Sequence, residues 1–308
     1  MLRSTFTAML LVIMAAAATP RIGFARPITP TVDVTVKPET VRPAQGGFIA
    51  INGPHPLEVT VELAGEPLPV HSTDQGYLAY FAFPFDAEPG IRTVSVSTRD
   101  PVTGAQQTFE RAVTVTEYRY PLEQIALPLS LVPLLDPAIN EREADFLDEV
   151  LSEVTTPARA QWPFDLPVPA GIVTSRFGGD RIYNGGLWQQ YHTGADFRRS
   201  VGEPIYAVAS GRVAAAAALE VYGGVLIIDH GFGVFTLYAH CSDFFVEVGD
   251  QVMPGQLVAA AGASGRTNGP HLHFEVIVNG QPVDPLAWWA LAPGYVPVRE
   301  VDPTKDTN

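Results

Sequence analysis

The stretch "GPHLHFEV", residues 269–276, reads as a strand carrying two histidines one residue apart. Side chains at i and i+2 of a strand point to the same face. His271 and His273 therefore project side by side, and Glu275 continues their row. Two titratable rings on one strand face mean either a wet surface or a group between them that needs both. The surroundings favour strands. From about residue 168 to 292, short β-runs such as "GGVLIIDHG", "GVFTLYAH" and "VEVGDQVMPGQLVAAAG" alternate with glycines. No long helix-period segment intervenes, which predicts an antiparallel β domain with tight turns.

Five of the chain's 7 histidines lie here, four of them in three motifs: "HTGADF" with His192 and Asp196, "LYAHCSD" with His240, and "GPHLHFE". Imidazole and carboxylate are natural zinc ligands, and a catalytic zinc takes three protein donors while leaving one position for water. The motifs supply that set with two histidines to spare, which acid–base chemistry or oxyanion stabilisation would use. By spacing alone, each motif is also compatible with an ordinary wet strand or loop. His230, before a turn in "IDHG", reads as structural, and Trp288 and Trp289 read as core cover.

The rest of the chain offers no comparable cluster. Residues 1–25 carry Arg3, the apolar run "AMLLVIMAAAA" (8–18) and then small residues, the pattern of a signal peptide. That run is too short to span a bilayer comfortably. No later segment approaches membrane length, so no transmembrane span is expected after signal cleavage. The expected location is the periplasm, cell envelope or exterior. The single cysteine, Cys241, excludes an intrachain disulfide. The net charge is −14, and only Lys37 and Lys305 are lysines, which argues against nucleic acid or anionic lipid as partners. Residues 28–118 alternate with period 2 in "TVDVTV", "LEVTVEL", "YLAYFAF", "RTVSVST" and "AVTVT". They predict an immunoglobulin-like β-sandwich serving as spacer, docking module or lid. His55 and His71 read as surface or loop residues.

Residues 119–167 read as a connector with one helix, starting at Asn140 with Glu143 as its capping partner. Its apolar stripe, Phe146, Leu147, Val150, Leu151 and Val154, is expected to pack on a neighbouring domain, with the acids of 141–153 forming a solvated face. Residues 293–308 read as a tail.

The ordered set "HTGADF … YAHCS … GPHLHFE", followed by "VDP" at 283–285, closely resembles the lysostaphin/LytM-like zinc metalloendopeptidases of peptidoglycan, metallopeptidase family twenty-three. The resemblance covers roughly residues 168–290, and "SRFGGDRIYNGG" (175–186) is similar to that family's approach to its first ligand. It implies His192, Asp196 and His273 as Zn²⁺ ligands and His240 and His271 as non-ligand catalytic histidines. Tyr183 becomes a candidate for stabilising the oxyanion. The implied substrate is the stem or cross-bridge peptide of peptidoglycan; the scissile bond and the oligomeric state are not readable. Cys241 stands where the family motif has leucine and reads as a small apolar packing residue. The competing class is a non-catalytic wall-binding protein or an activator of another hydrolase. A biotinyl or lipoyl carrier, suggested by the texture of "VEVGDQVMPGQLVA", fails because no acceptor lysine lies between residues 38 and 304.

Overall fold

The computed structural model describes residues 31–53, 56–153, 164–292 and 297–300. The expected signal peptide, His55 and Val154 lie outside the described residues. The fold is mostly β, and nearly all strand pairing is antiparallel.

The first part is a two-layer sandwich. One sheet pairs Asp33–Lys37, Gly46–Asn52, Gly76–Ala82 and His71–Thr73 in that order. The other pairs Thr40–Val41, Gln106–Val115, Gly90–Arg99, Glu58–Leu63 and Glu66–Leu68. Alternate residues meet between the layers: Val34, Val36, Ile49, Ile51 and Phe81 from one, Val61, Val94, Val96, Val113 and Val115 from the other. Period-2 alternation produces this directly, because every second side chain is delivered to the same dry space.

The second part is built on one large sheet. Its neighbours in order are Gln251–Val252, Gly211–Ala218, Gly224–Asp229, Val234–Phe244, His271–Val278, Ala195–Arg198, Ile172–Ser175 and Arg299–Glu300. The last strand falls in the stretch expected to be a tail, and it pairs in parallel with Ile172–Ser175. The sheet has two unlike faces. Leu272, Phe274, Val276 and Val278 face the main core with Phe197, Leu226, Tyr238 and Trp289. Ile277 faces the other way, with Ala215, Val225, Ile227, Phe235, Leu237 and Ala239. Phe164 joins the main core and the Asp165 carbonyl accepts from Trp289 Nε1, so residues assigned to the connector help close that core.

The connector contains more than one helix. It contributes a strand, Leu122–Ile125, in parallel with Asp180–Tyr183, then a 3₁₀ turn Leu129–Leu135, then helix α1, Pro137–Ser152. The helix starts earlier than expected. Asp136 is the N-cap, accepting from Ala138 N–H, with proline next to it at the first helical position. Asn140 and Glu143 are thereby freed from capping. Phe146, Leu147, Val150 and Leu151 pack on the Ile277 face of the sheet.

The sandwich docks through Tyr80, which meets Trp288 and accepts from Asn279 Nδ2 through its carbonyl. Cys241 is a buried packing residue, its thiol pushed by burial up to about 12. Trp288 and Trp289 are buried, and Trp289 stacks on Phe274 with centroids 5.4 Å apart. Trp289→Ala is expected to cost about 3–5 kcal/mol, the range for deleting a large core aromatic. Urea unfolding followed by circular dichroism checks this; a loss under about 1 kcal/mol would show that the ring is not a core anchor.

Candidate active site

His271, His273 and Glu275 occupy the outer face of the same strand whose Leu272, Phe274 and Val276 build the core. The flanking strands complete the site by register. Asp196 stands directly across from His273, and Ala239 across from it on the other side. Directly opposed residues bring their side chains within contact reach. His192 precedes the Ala195–Arg198 strand and is fixed through its backbone. Its N–H donates to the Gly179 carbonyl and its own carbonyl accepts from Gly178 N–H. Gly194 between them leaves no room for a side chain, since a Cβ there would run into the Phe274 carbonyl and the His273 ring.

His240 reaches the site by a different device. The strand Val234–Phe244 slips register at its end, between Leu226↔Tyr238 and Gly224↔Cys241. His240 is the extra residue, held at φ +60°. Such a bulge re-aims a side chain, and positive φ is an uncommon conformation for a non-glycine residue. Here it turns the imidazole toward His271, with ring centroids 4.7 Å apart.

The three expected ligands converge. His192 Nε2 lies 3.0 Å from Asp196 Oδ1 and 3.0 Å from His273 Nδ1, and those last two atoms are 2.9 Å apart. In a tetrahedral zinc site with bonds of about 2.0–2.1 Å, neighbouring donors stand roughly 3.3 Å apart. The triangle is therefore of the right size. Its hydrogen bonding is also right. His192 Nδ1 faces the Arg176 carbonyl at 2.7 Å, and a carbonyl can only accept. His273 Nε2 faces Glu275 Oε1 at 2.9 Å. Each ring thus donates from its far nitrogen and turns its other nitrogen inward, the arrangement that outer partners impose on metal-ligating histidines. Arg181 donates to the other oxygen of Asp196, Oδ2, at 3.1 Å, and to Glu123. Glu275 is itself held by Thr193 Oγ1 and the Tyr222 hydroxyl.

Burial alone would lower the affinity of His273 for a proton, but the Asp196 and Glu275 carboxylates outweigh it and push the ring up to about 9. Burial lowers His192, and it would raise Asp196 were that carboxylate not held well below its usual range by His192 and His273. His240 is pushed down to about 3 by burial and by His271, so it is neutral at pH 7. Its Nδ1–H donates to the Ser264 carbonyl at 2.8 Å, leaving Nε2 as an acceptor. His271 is pinned in the same way, with Nδ1 2.9 Å from the Gly269 carbonyl, and its Nε2 lies 3.6 Å from Asp196 Oδ1.

Tyr183 lines the same cavity, buried against Leu127 and Leu135, with the Arg266 guanidinium 4.9 Å over its ring. His230 is a buried structural residue bonded to Ser210 and Thr236. Arg181, Tyr222 and Arg266 were not singled out from sequence; they lie on a short strand and in loops, where no periodic signal exists. The acids of 141–153 are not uniformly solvated, because Glu143 is buried against this cavity. The cavity is about 180 Å³, below the roughly 300–1,000 Å³ of usual ligand pockets. One of its walls is α1, through Asn140, Glu143, Ala144 and Leu147.

Residues 190–285 match the model of "Peptidase family M23". Peptidoglycan DD-endopeptidase ShyB of Vibrio cholerae is 41% identical over 95 residues, 31% of this chain and 22% of that protein. Murein hydrolase activator EnvC of Escherichia coli is 37% identical over 110 residues, 36% of this chain and 25% of that protein. The chain thus spans about a quarter or less of these curated relatives. A crystal structure of a Pseudomonas aeruginosa putative peptidase M23 superposes with TM-score 0.56 at 24% identity, over 78% of this chain and 90% of that one, and shares the fold.

A metal and a proton compete for His273 Nδ1. With the ring's pKa raised to about 9, the proton is held at pH 7, while His192 and Asp196 have already lost theirs. Zinc binding at pH 7 is therefore expected to release about one proton, and affinity is expected to fall as pH drops. Titration calorimetry in buffers of different ionisation enthalpy reads this directly. A heat independent of buffer would contradict the assigned protonation.

Proposed function

We propose that this chain, whose residues 190–285 are a peptidase family M23 domain, is a zinc-dependent endopeptidase that cuts peptide cross-links of bacterial peptidoglycan. The observation that carries the reading is the convergence of three donor atoms beside two further imidazoles. His192, Asp196 and His273 hold the metal. When bound, zinc supplies Lewis acidity, which brings the pKa of a coordinated water to about 7 and polarises a carbonyl.

The remaining steps belong to the chain. His240 and His271 present Nε2 acceptors to the space beside the ligand triangle. Between them they take the proton of the attacking water and return it to the leaving nitrogen of the scissile peptide. Tyr183, on the cavity wall, is the candidate donor to the oxyanion. Arg181 holds Asp196 Oδ2 and leaves Oδ1 for the metal. Glu275 orients His273 and raises its basicity.

The chain acts on the stem or cross-bridge peptides of the wall, in the envelope or outside the cell. Supporting this are the apolar run at residues 8–18, the peptidoglycan named for its relatives, and the absence, among the described residues, of a helix long and apolar enough to cross a membrane. A non-catalytic activator would need neither the complete donor triangle nor the two further imidazoles beside it.

The two histidines of "HLH" separate the roles. His273→Ala removes a donor, and zinc and activity are expected to be lost together. His271→Ala leaves the triangle intact; zinc is expected to remain near stoichiometric while the rate falls by roughly 10²–10⁴-fold. Metal analysis beside a single-turnover assay on purified cross-linked peptidoglycan decides. Zinc lost from the His271 variant but kept by the His273 variant reverses the roles, and full activity in either removes the peptidase reading.

A further inference from the structure

Glu143 is the one acid of α1's 141–153 run that is buried, 6% exposed, and it is turned to the cavity. Its two oxygens are each taken by a backbone amide. Val221 N–H donates to Oε1 at 2.6 Å and Tyr222 N–H donates to Oε2 at 3.1 Å. Two successive amides gripping one carboxylate make an anion cradle. The cradle is part of the catalytic framework: the Tyr222 carbonyl accepts from His240 N–H, and the Val221 carbonyl accepts from Arg266 N–H. The Arg266 guanidinium adds positive charge within electrostatic reach of Glu143. That guanidinium is occupied by the connector as well, through the Asn140 side chain and the Leu134 carbonyl.

A helix anchored this way needs only its apolar stripe to stay on the sheet. Burying a carboxylate is costly, and it is tolerated here because both oxygens are satisfied. The cradle's geometry is set by the loop and not by the helix. The two amides belong to the loop, where the Val221 and Tyr222 carbonyls are tied to Arg266 N–H and His240 N–H.

We propose that the Val221–Tyr222 amides and Arg266 form a substrate subsite for a free carboxylate of the wall peptide, and that Glu143 occupies it as an internal mimic. This deepens the peptidase reading and rests on it for the identity of the substrate. α1 walls one side of the cavity, and a peptide carboxylate that took the same amides would displace the helix from that wall. A peptide lacking that carboxylate would leave two buried amides unpaired, the condition that makes polar sites discriminate strongly.

The test uses the full chain, metal-free, and two fluorescent, uncross-linked stem peptides: one with free carboxylates, one with every carboxylate amidated. Glu143→Gln keeps the side-chain shape but removes the charge and turns an amide nitrogen toward an N–H donor, which loosens the plug. This variant is expected to bind the free-carboxylate peptide at least about tenfold more tightly than the wild type does, and to reject the amidated peptide by a similar factor. Arg142→Glu supplies an independent opening. It sets like charges at 142 and 220, where an exposed Arg142–Glu220 pair at 2.8 Å now ties the helix down, and it leaves the cradle untouched. It is expected to raise binding of the same peptide several-fold, with circular dichroism confirming that both variants are folded. Equal binding of the two peptides by folded Glu143→Gln overturns the carboxylate subsite. Wild-type binding as tight as that of both variants overturns the plug. Cleavage is read separately, with zinc and cross-linked peptide. Discriminating binding without cleavage sinks the peptidase reading and leaves the subsite standing.

Discussion

Three lone pairs aimed at one another are the constraint on which the rest of this structure depends. Two imidazole nitrogens and a carboxylate oxygen within 3.0 Å repel unless a cation or a proton sits among them. The fold nevertheless commits each atom to that position. Strand pairing sets Asp196 against His273, backbone bonds to Gly178 and Gly179 lock His192, and outer acceptors fix both ring tautomers. The alternation of "HLHFEV" supplies both halves of the design. Its apolar residues anchor the strand in a dry core, and that anchorage holds the polar residues still on the opposite face.

The same face carries the connector. Ile277 continues the row begun by His271, His273 and Glu275, and α1 packs over that end. The helix therefore runs from an apolar footing into the cavity, where Asn140 and Glu143 meet the loops that hold His240. Aromatic contacts tie the sandwich to the other wall: Phe85 stacks on Tyr191 and Phe177 at 4.3 and 5.0 Å. The upstream regions thus bear directly on the site rather than standing apart from it.

Much of this is legible in the sequence, for stated reasons. Period-2 runs announced the sandwich strands and the site strand, because burial on one face leaves that imprint. The strand Gly46–Asn52 leaves no such imprint, since its paired glycines and its apolar run blur the alternation. Asn140 with Glu143 imitates a capping pair at the start of α1, whereas Asp136–Pro137 is the actual cap. A glutamate in a capping-pair pattern gives no local sign of tertiary partners such as the Val221 and Tyr222 amides that Glu143 meets. Arg181, Tyr222 and Arg266 act through cross-chain contacts of loops and short strands, which leave no local pattern. The bulge at His240 is equally silent, for positive φ at a non-glycine residue is a property of the surrounding pairing.

The central claim is the donor set itself: one cation held by two imidazoles and one carboxylate, with Cys241 excluded by its burial in the core. X-ray absorption at the zinc edge on the full chain loaded with one equivalent of Zn²⁺ reads that set directly. The account predicts a first shell of nitrogen and oxygen at about 2.0–2.1 Å, with imidazole scattering and no sulfur. A zinc–sulfur distance of about 2.3 Å, or a shell without imidazole, would contradict it.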